Sequence, residues 1–406
     1  MIIAMFTDSY WPRVNGITVS VDTYSHALIQ AGHTVIIVCS SYPDAIDMKG
    51  TSPHEESGGR EPIIIRAPSF PLVISNEDRI AKIHKMLWVS KQLETFHPGI
   101  VHINSEFVIA EFGFYYAKRH NIPVVYTFHT LWEEYIGNYF PAFLVPLFKR
   151  IVRRIFKLAL KRADAVIAPT DQAAAIVRKY KTKKEIYVLP TGIDPKHLTP
   201  NQLQVADFRG IMEQMYPPLR DRRILLFAGR VTKEKNVGFL LGILPKIIEK
   251  HREAVLLIVG DGPYLADLRK ECERLNLNDH CVFTGYLERK DLGLAYAMSD
   301  IFVFPSLTET QGLVTIEAMC TGIPVVAIGS MGTVTVMNGD KGGFIVQNDE
   351  AEFTARVLNL LEDSGLYRAK ALEAKRYAQH WMIDAMTVKL VEIYKETMNR
   401  CGADGK

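Results

Sequence analysis

Two short apolar runs, IFVFPS (Ile301 to Ser306) and PVVA (Pro324 to Ala327), bracket the stretch that leaves this chain fewest options. Runs this short and this continuously apolar are what parallel strands buried on both faces look like. Between them Gly312 opens a helix, LVTIEAMCT, and Gly322 closes it at a position suited to a C-terminal cap. The unit is therefore strand, loop, helix, strand. Glu309 falls in the loop beyond the carboxyl end of the first strand, where open parallel sheets bind ligands, and Glu317 lies about a turn and a half into the helix. The backbone amides of the first turn, around Gly312 to Val314, are expected to be unpaired and to favour an anion, which makes Gln311, Gly312, Leu313 and Val314 candidate donor-binding residues. Anion-binding amides beside two carboxylates suit a ligand that is both phosphorylated and rich in hydroxyls, a nucleotide sugar. The plain alternative is a pair of glutamates that only complements the helix dipole.

E-x7-E followed by a small-residue strand entry, ETQGLVTIEAMCTGIPVVA, resembles the signature of retaining glycosyltransferases with the GT-B fold, in the large family numbered four. The resemblance implies an α/β fold of two Rossmann-like doubly wound domains facing across a cleft. It extends along most of the chain.

With 406 residues, 48% hydrophobic and 23% charged, the chain is long enough for two domains, each with its own core. The net charge is +3, and no nucleic-acid partner is expected. Cys39, Cys272, Cys281, Cys320 and Cys401 form no CxxC pair and have no zinc-like histidine spacing, so free thiols in a reducing compartment are expected. MIIAMFTDSYWP lacks a basic leader and reads as a first strand rather than a signal peptide, and no apolar run is long enough to span a bilayer. A cytoplasmic protein is expected.

The first domain is expected over residues 1–195. MIIAMF, a loop, a helix from about Ile17 to Gln30, a stop at Gly32 and a second strand make a βαβ unit. Gly16 ends the loop before that helix and is expected to let backbone amides approach a phosphate or sugar. The family usually has two glycines there, and this chain has Asn15 then Gly16. Residues 41–59, rich in Pro, Asp, Ser and Gly, suggest a surface excursion. Strands recur at Ile63 to Ala67, Ile100 to Asn104 and Val124 to Phe128, with helices between. His129 follows the last of these in VVYTFHT, where the resemblance implies a donor-sugar contact, orienting more than acting as a base.

From Glu134 to Asp164 no acid interrupts the chain, while Lys149, Arg150, Arg153, Arg154, Lys157, Lys161 and Arg162 accumulate among apolar residues. At about 100° per residue the basics from Lys149 to Lys161 share an arc of about 140°, with Phe148, Ile151, Val152, Ile155, Leu158 and Ala159 opposite. Preceded by the apolar YIGNYFPAFLVPLF, this basic amphipathic helix is expected to lie peripherally on an anionic leaflet. A helix packed on its own domain, with a merely solvated basic side, is the alternative.

ADAVIAPT and EIYVLPTGID close the first domain, and the stretch from about Pro195 to Arg223, with its Pro-Pro pair, reads as a linker. The second domain is expected over residues 222–382, with a last helix, about 383–400, crossing back onto the first. RILLFAGR ends at Gly229, and Arg230 and Lys235 match the family residues that grip the donor diphosphate. Gly260 and Gly262, in GDGP, make a close backbone turn that is not GxGxxG, because Leu265 holds the last position, so a nicotinamide is disfavoured. Tyr286 and Leu287 follow CVFTG, which resembles the strand whose backbone meets the nucleobase. Gly329, Gly332 and Thr335 stand where the family shows Gly-Gly and an acid.

No DxD triplet occurs, so the resemblance implies metal-independent, front-side transfer. Arg230 and Lys235 would hold the diphosphate, Glu309 the sugar hydroxyls, Glu317 the ribose and His129 the far edge of the sugar, with no cofactor. FHTLWEEYIGNYFP, the basic helix and KRADAVIAPT look most like bacterial diacylglycerol α-glucosyltransferases. A lipid hydroxyl as acceptor and UDP-glucose as donor are therefore expected. Phosphatidylinositol mannosyltransferases and soluble-acceptor enzymes are the alternatives.

Overall fold

The computed structural model describes residues 1–13, 15–42, 61–72, 75–129, 143–309 and 311–404. Two compact units divide the chain: Met1–Gly192 with Ile383–Lys406, and Ile193–Met382. Residues 43–59 of the surface excursion expected at 41–59, and most of YIGNYFPAFLVPLF, lie outside the described residues.

The first unit contains β1 (Ile2–Thr7), β2 (Thr34–Ser40), β3 (Ile63–Ala67), β4 (Ser69–Leu72), β5 (Ser75–Ala81), β6 (Ile100–Ile103), β7 (Val124–Thr127), β8 (Ala165–Ala168) and β9 (Glu185–Val188). Seven of these form one sheet in the order β3-β2-β1-β6-β7-β8-β9, every pairing parallel. The strand order reverses between β1 and β6, which makes the carboxyl ends of those strands the place for ligands. β4 and β5 pair antiparallel as a separate hairpin. Polar SNEDR and Pro71 hide that hairpin from a hydrophobic pattern.

Burial explains the parallel sheet. Ile3, Ala4, Met5 and Phe6 of β1 are at most 1% exposed, so both faces are covered, and each large side chain contributes about 1.5–3 kcal/mol. The helix Val108–His120 lies on this core through Gly113, where an added Cβ would come within 2.5 Å of Ile103 Cδ1 and 2.8 Å of Phe6 Cγ. The last helix, Ile383–Asp404, belongs to this unit, with Met386, Leu390, Ile393 and Tyr394 buried beside Ile3, Ile100 and Leu28.

Tyr394 is also tied to the sheet by a polar contact. The His102 ring joins its Nδ1 to the Tyr394 hydroxyl at 2.7 Å and its Nε2 to Thr127 Oγ1 at 2.6 Å. Burial pulls the His102 ring down from 6.5 to about 3.

The second unit contains β10 (Arg223–Ala228), β11 (Ala254–Val259), β12 (Cys281–Gly285), β13 (Ile301–Phe304), β14 (Val325–Ile328) and β15 (Gly343–Val346), ordered β12-β11-β10-β13-β14-β15, all parallel. Its reversal falls between β10 and β13. The stretch read as a linker is instead part of this unit: Gln202–Met215 is a helix whose Asn201 and Gln204 form a reciprocal capping box. Val205, Phe208 and Met212 pack on the unit's core at helical spacing, and this signal outweighs the Pro-Pro pair that follows. Among the described residues, no helix is long and apolar enough to cross a membrane.

Because the folded His102 ring binds its proton less tightly than the unfolded chain does, stability is fully present above pH 6.5 and is lost as pH falls toward about 3. The expected loss is about 1.4 kcal/mol per pH unit within that window, and His102→Gln should flatten this part of the slope. Urea midpoints measured from pH 7 to pH 4.5 check it.

Candidate active site

In the second unit the expected donor-site residues gather at the carboxyl ends of β10, β11 and β13. Beyond β10 the chain passes Gly229 and Arg230 into a single turn, Lys233–Lys235, which ends at Asn236 in the left-handed region with φ 56°. Asn236 Nδ2 donates to Pro305 O at 3.3 Å and Leu307 N to Glu234 O at 3.3 Å, so the loops after β10 and β13 are laced together. Across this seam Lys235 Nζ donates to Glu309 Oε1 in a tight ion pair. Both side chains are mostly buried, at 21% and 14% exposed, so this contact is screened far less than a surface pair.

The helix Leu313–Thr321 starts beside this pair. Gly312 precedes it in the left-handed region, with φ 72°, and no side chain caps this end. Thr315 N and Oγ1 both donate to Gly312 O, at 3.0 and 2.7 Å, which fixes the first turn of the helix. Gly332 N donates to Glu309 O at 2.9 Å, and Thr335 lies in the short helix Met331–Met337. This segment therefore supports the Glu309 loop through backbone, with no acid at Thr335.

Gly229 and Gly260 form the floor. An added Cβ at Gly260, where φ is 138°, would sit 1.9 Å from Gly229 O, and one at Gly262 would sit 2.3 Å from Val231 O. Both positions demand glycine because backbone passes backbone with no space for a side chain. Gly260 N donates to Gly285 O at 2.8 Å, which ties in the end of β12 just before Tyr286 and Leu287. Tyr286 is 38% exposed and its phenol is raised by burial.

Glu317, on the same helix as the first-turn amides, is only 7% exposed. Arg289 Nη2 lies 3.2 Å from its Oε1, and the Tyr296 hydroxyl donates to Oε2 at 3.3 Å. Neither residue was among those expected. Their spacing of seven puts them on one helix face, but that this face meets Glu317 is decided by how the two helices pack.

In the first unit His129 follows β7, and its Nε2 lies 3.1 Å from Asn104 Oδ1. Asn104 Nδ2 donates to His102 O at 3.3 Å, so its carbonyl oxygen faces the histidine and must accept. That makes Nε2 the protonated nitrogen of a neutral ring, with Nδ1 as the acceptor. Burial lowers the ring to about 4, so it stays neutral near pH 7. Asp8, beyond β1, is occupied structurally: it accepts from Phe107 N at 3.0 Å, Ile109 N at 2.9 Å and Ser105 Oγ at 2.6 Å, capping the helix Val108–His120.

Gly16, expected to let backbone amides approach a phosphate or sugar, is the first residue of the helix Gly16–Gln30, without positive φ, and an added Cβ would meet no atom of the chain within 4 Å. Asn15 supplies the specific contact, accepting from Thr18 N at 2.8 Å as the helix cap.

The basic helix spans Val145–Arg162, and its packing departs from the expected face. Phe156, Ala159 and Leu160 are buried, with Phe156 4.9 Å from the ring of Phe128, whereas Ile151 and Leu158 are exposed with Leu147. Ile151 and Leu158 were expected to share a face with Ala159. On a helical projection Leu147, Ile151 and Leu158 form an exposed stripe about 40° wide, directly beside the arc that holds Arg150, Arg153, Arg154, Lys157 and Lys161. Lys149 turns partly toward the domain. Among the described residues no carboxylate pairs with Arg150, Arg154, Lys157 or Lys161, whereas Arg162 meets Glu111 Oε2 at 2.5 Å.

Residues 14–197 match the model described as Glycosyltransferase Family 4, and residues 213–381 the one described as Glycosyl transferases group 1. Together the two matches take in most of the chain, which carries the two domains of a glycosyltransferase. Among its relatives is an alpha-monoglucosyldiacylglycerol synthase of Streptococcus pneumoniae, 29% identical over 333 residues, 81% of this chain and 71% of the relative. A GDP-mannose-dependent alpha-(1-6)-phosphatidylinositol monomannoside mannosyltransferase of Mycolicibacterium smegmatis is 32% identical over 204 residues, 48% of this chain and 51% of the relative. Anabaena HepE, solved with UDP and glucose, superposes with a TM-score of 0.77 at 16% identity, covering 98% of this chain and all of its own. This glycosyltransferase thus has the GT-B fold.

Gly260→Ala should cost about 3 kcal/mol or more, because it combines backbone overlap with a strained φ. Thermal unfolding of the variant, with the Gly16→Ala protein as the silent comparison, checks this.

Proposed function

We propose that this glycosyltransferase moves glucose from UDP-glucose to the free hydroxyl of a membrane lipid such as 1,2-diacylglycerol, with retention and without a metal. The single observation that carries the donor half is the Lys235–Glu309 pair beside an uncapped helix start. It offers, in one place, a cation and amides for a diphosphate and a carboxylate for sugar hydroxyls. The acceptor half rests on the likeness to the Streptococcus pneumoniae synthase and on the exposed basic and apolar stripes of the helix Val145–Arg162.

In this reading the bond between the sugar's anomeric carbon and the diphosphate breaks while the acceptor oxygen bonds to that carbon from the same face. The acceptor proton passes to the departing phosphate oxygen. Arg230, Lys235 and the amides of Leu313 and Val314 stabilise the charge that develops on the diphosphate. Glu309 holds sugar hydroxyls and Glu317 the ribose. The turns at Gly229, Gly260 and Gly262 give the donor close backbone, with Gln311 and Gly312 opening the phosphate pocket and Tyr286 and Leu287 meeting the base through their backbone. His129, neutral and with Nδ1 as acceptor, orients a hydroxyl rather than removing its proton.

The pairing of Lys235 with Glu309 gives the two residues separable effects. Glu309→Gln should lower kcat about a hundredfold or more while UDP binds as well or better, because Lys235 is released to the diphosphate. Turnover on liposomes containing diacylglycerol, with UDP-glucose and EDTA, and calorimetry with UDP check this. Activity abolished by EDTA would count against the metal-free reading.

At the membrane, Arg150, Arg154, Lys157 and Lys161 would together contribute about 4 kcal/mol at about 1 kcal/mol each. Replacing the four by Gln should weaken binding to anionic vesicles about a hundredfold or more, with UDP affinity intact. Co-sedimentation checks it. A glycosyl product formed on a soluble acceptor in the absence of vesicles would redirect the acceptor assignment. A mannosyl transfer from GDP-mannose to a phosphatidylinositol-type acceptor is the second reading, favoured by the Mycolicibacterium smegmatis relative.

A further inference from the structure

Glu317 is gripped at both oxygens by a single neighbouring helix. That helix, Arg289–Met298, begins two residues after Leu287, and Tyr296 lies about two turns beyond Arg289 on the same face. Arg289 Nη2 stands 3.2 Å from Oε1 and the Tyr296 hydroxyl donates to Oε2 at 3.3 Å. The three groups are enclosed: Tyr296 is fully buried, Glu317 is 7% exposed and the Arg289 side chain 19%. A carboxylate this buried is left with an uncompensated charge if its cation is removed. With it in place, each oxygen has one fixed partner and keeps lone-pair capacity for one more donor.

Two oxygens, each with one acceptor position left, match two adjacent hydroxyls. We propose that Arg289, with Tyr296, is the positioning residue that sets Glu317 to accept from the 2′- and 3′-hydroxyls of a ribose, making the site selective for ribonucleoside diphosphates. The proposal rests on the donor reading above and adds the residue through which Glu317 acts. Arg289 touches Glu317 and no reacting atom, so its effect falls on nucleotide affinity and ribose discrimination. The geometry also couples two parts of the nucleoside. Tyr286 and Leu287, proposed to meet the base, run directly into the helix that holds the ribose carboxylate, so displacing one displaces the other.

The test is calorimetric titration of the full chain with UDP and 2′-deoxy-UDP, and with GDP and 2′-deoxy-GDP, for the wild type, Arg289→Met, Arg289→Lys and Glu317→Gln. The wild type should prefer the ribonucleotide. Arg289→Met should lose about tenfold of that preference by weakening UDP and leaving 2′-deoxy-UDP nearly unchanged. Glu317→Gln should lose as much, the double variant should lose no more than either, and Arg289→Lys should restore part. Full ribose discrimination in Arg289→Met overturns the proposal, and so does an equal loss for both nucleotides, which would report only damaged packing. A wild-type protein that binds neither UDP nor GDP overturns the donor reading itself, a result separable from the first two.

Discussion

Parallel strands can be joined only by crossovers, and a sheet made of them must be covered on both faces. That constraint organises the chemistry of this protein. Each crossover leaves its strand at the carboxyl end and enters a helix by its amino end, so loops, helix amides and polar side chains collect along one edge of each sheet. In the second unit, Arg230, Lys235, Glu309 and the helix start at Gly312 all lie beyond β10 and β13, where the strand order reverses. In the first, Asp8, Asn104 and His129 lie beyond β1, β6 and β7 by the same geometry.

The charges at the second site are paired with one another in a manner that makes sense for a site that binds anions and hydroxyls. Lys235 meets Glu309, and Arg289 meets Glu317, all largely out of solvent. Buried pairs contribute little net stability, because desolvation offsets most of the attraction. In the donor reading proposed above, their use is to hold charged groups in place until a ligand with complementary groups arrives. The two pairs differ in kind. Lys235 and Glu309 each have a proposed ligand group of their own and must share or part, whereas Arg289 can keep its hold on Glu317 throughout.

The helix Val145–Arg162 shows how packing changes the meaning of an amphipathic pattern. A helical projection divides it into basic and apolar halves, and the simplest inference is that the apolar half faces one environment. The structure gives the domain a third face, centred on Phe156, Ala159 and Leu160, and leaves Leu147, Ile151 and Leu158 outside next to the cations. Apolar and basic groups side by side on one exposed surface suit the boundary between headgroups and acyl chains better than either stripe alone.

Much was legible in the sequence, for physical reasons that can be named. Continuous apolar runs marked the buried parallel strands, glycines at Gly312, Gly322 and Gly260 marked positions of unusual backbone, and the spacing of Glu309 and Glu317 placed both on one loop-helix unit. These are local consequences of backbone sterics and of burial, so the chain alone determines them. The antiparallel hairpin β4–β5, the helix Gln202–Met215 within the second unit and the caps formed by Asn15 and Asp8 were less visible, because short polar elements have no strong period. What only the tertiary structure decided is which charges meet. Lys235 and Glu309 are 74 residues apart, and His102 and Tyr394 are 292 apart. Such contacts depend on how the strands are ordered in the sheet and how the last helix docks, and no spacing within one element encodes them. The same holds for Arg289 and Glu317: each sits on its own helix for reasons the sequence contains, but their meeting is a property of how those two helices pack.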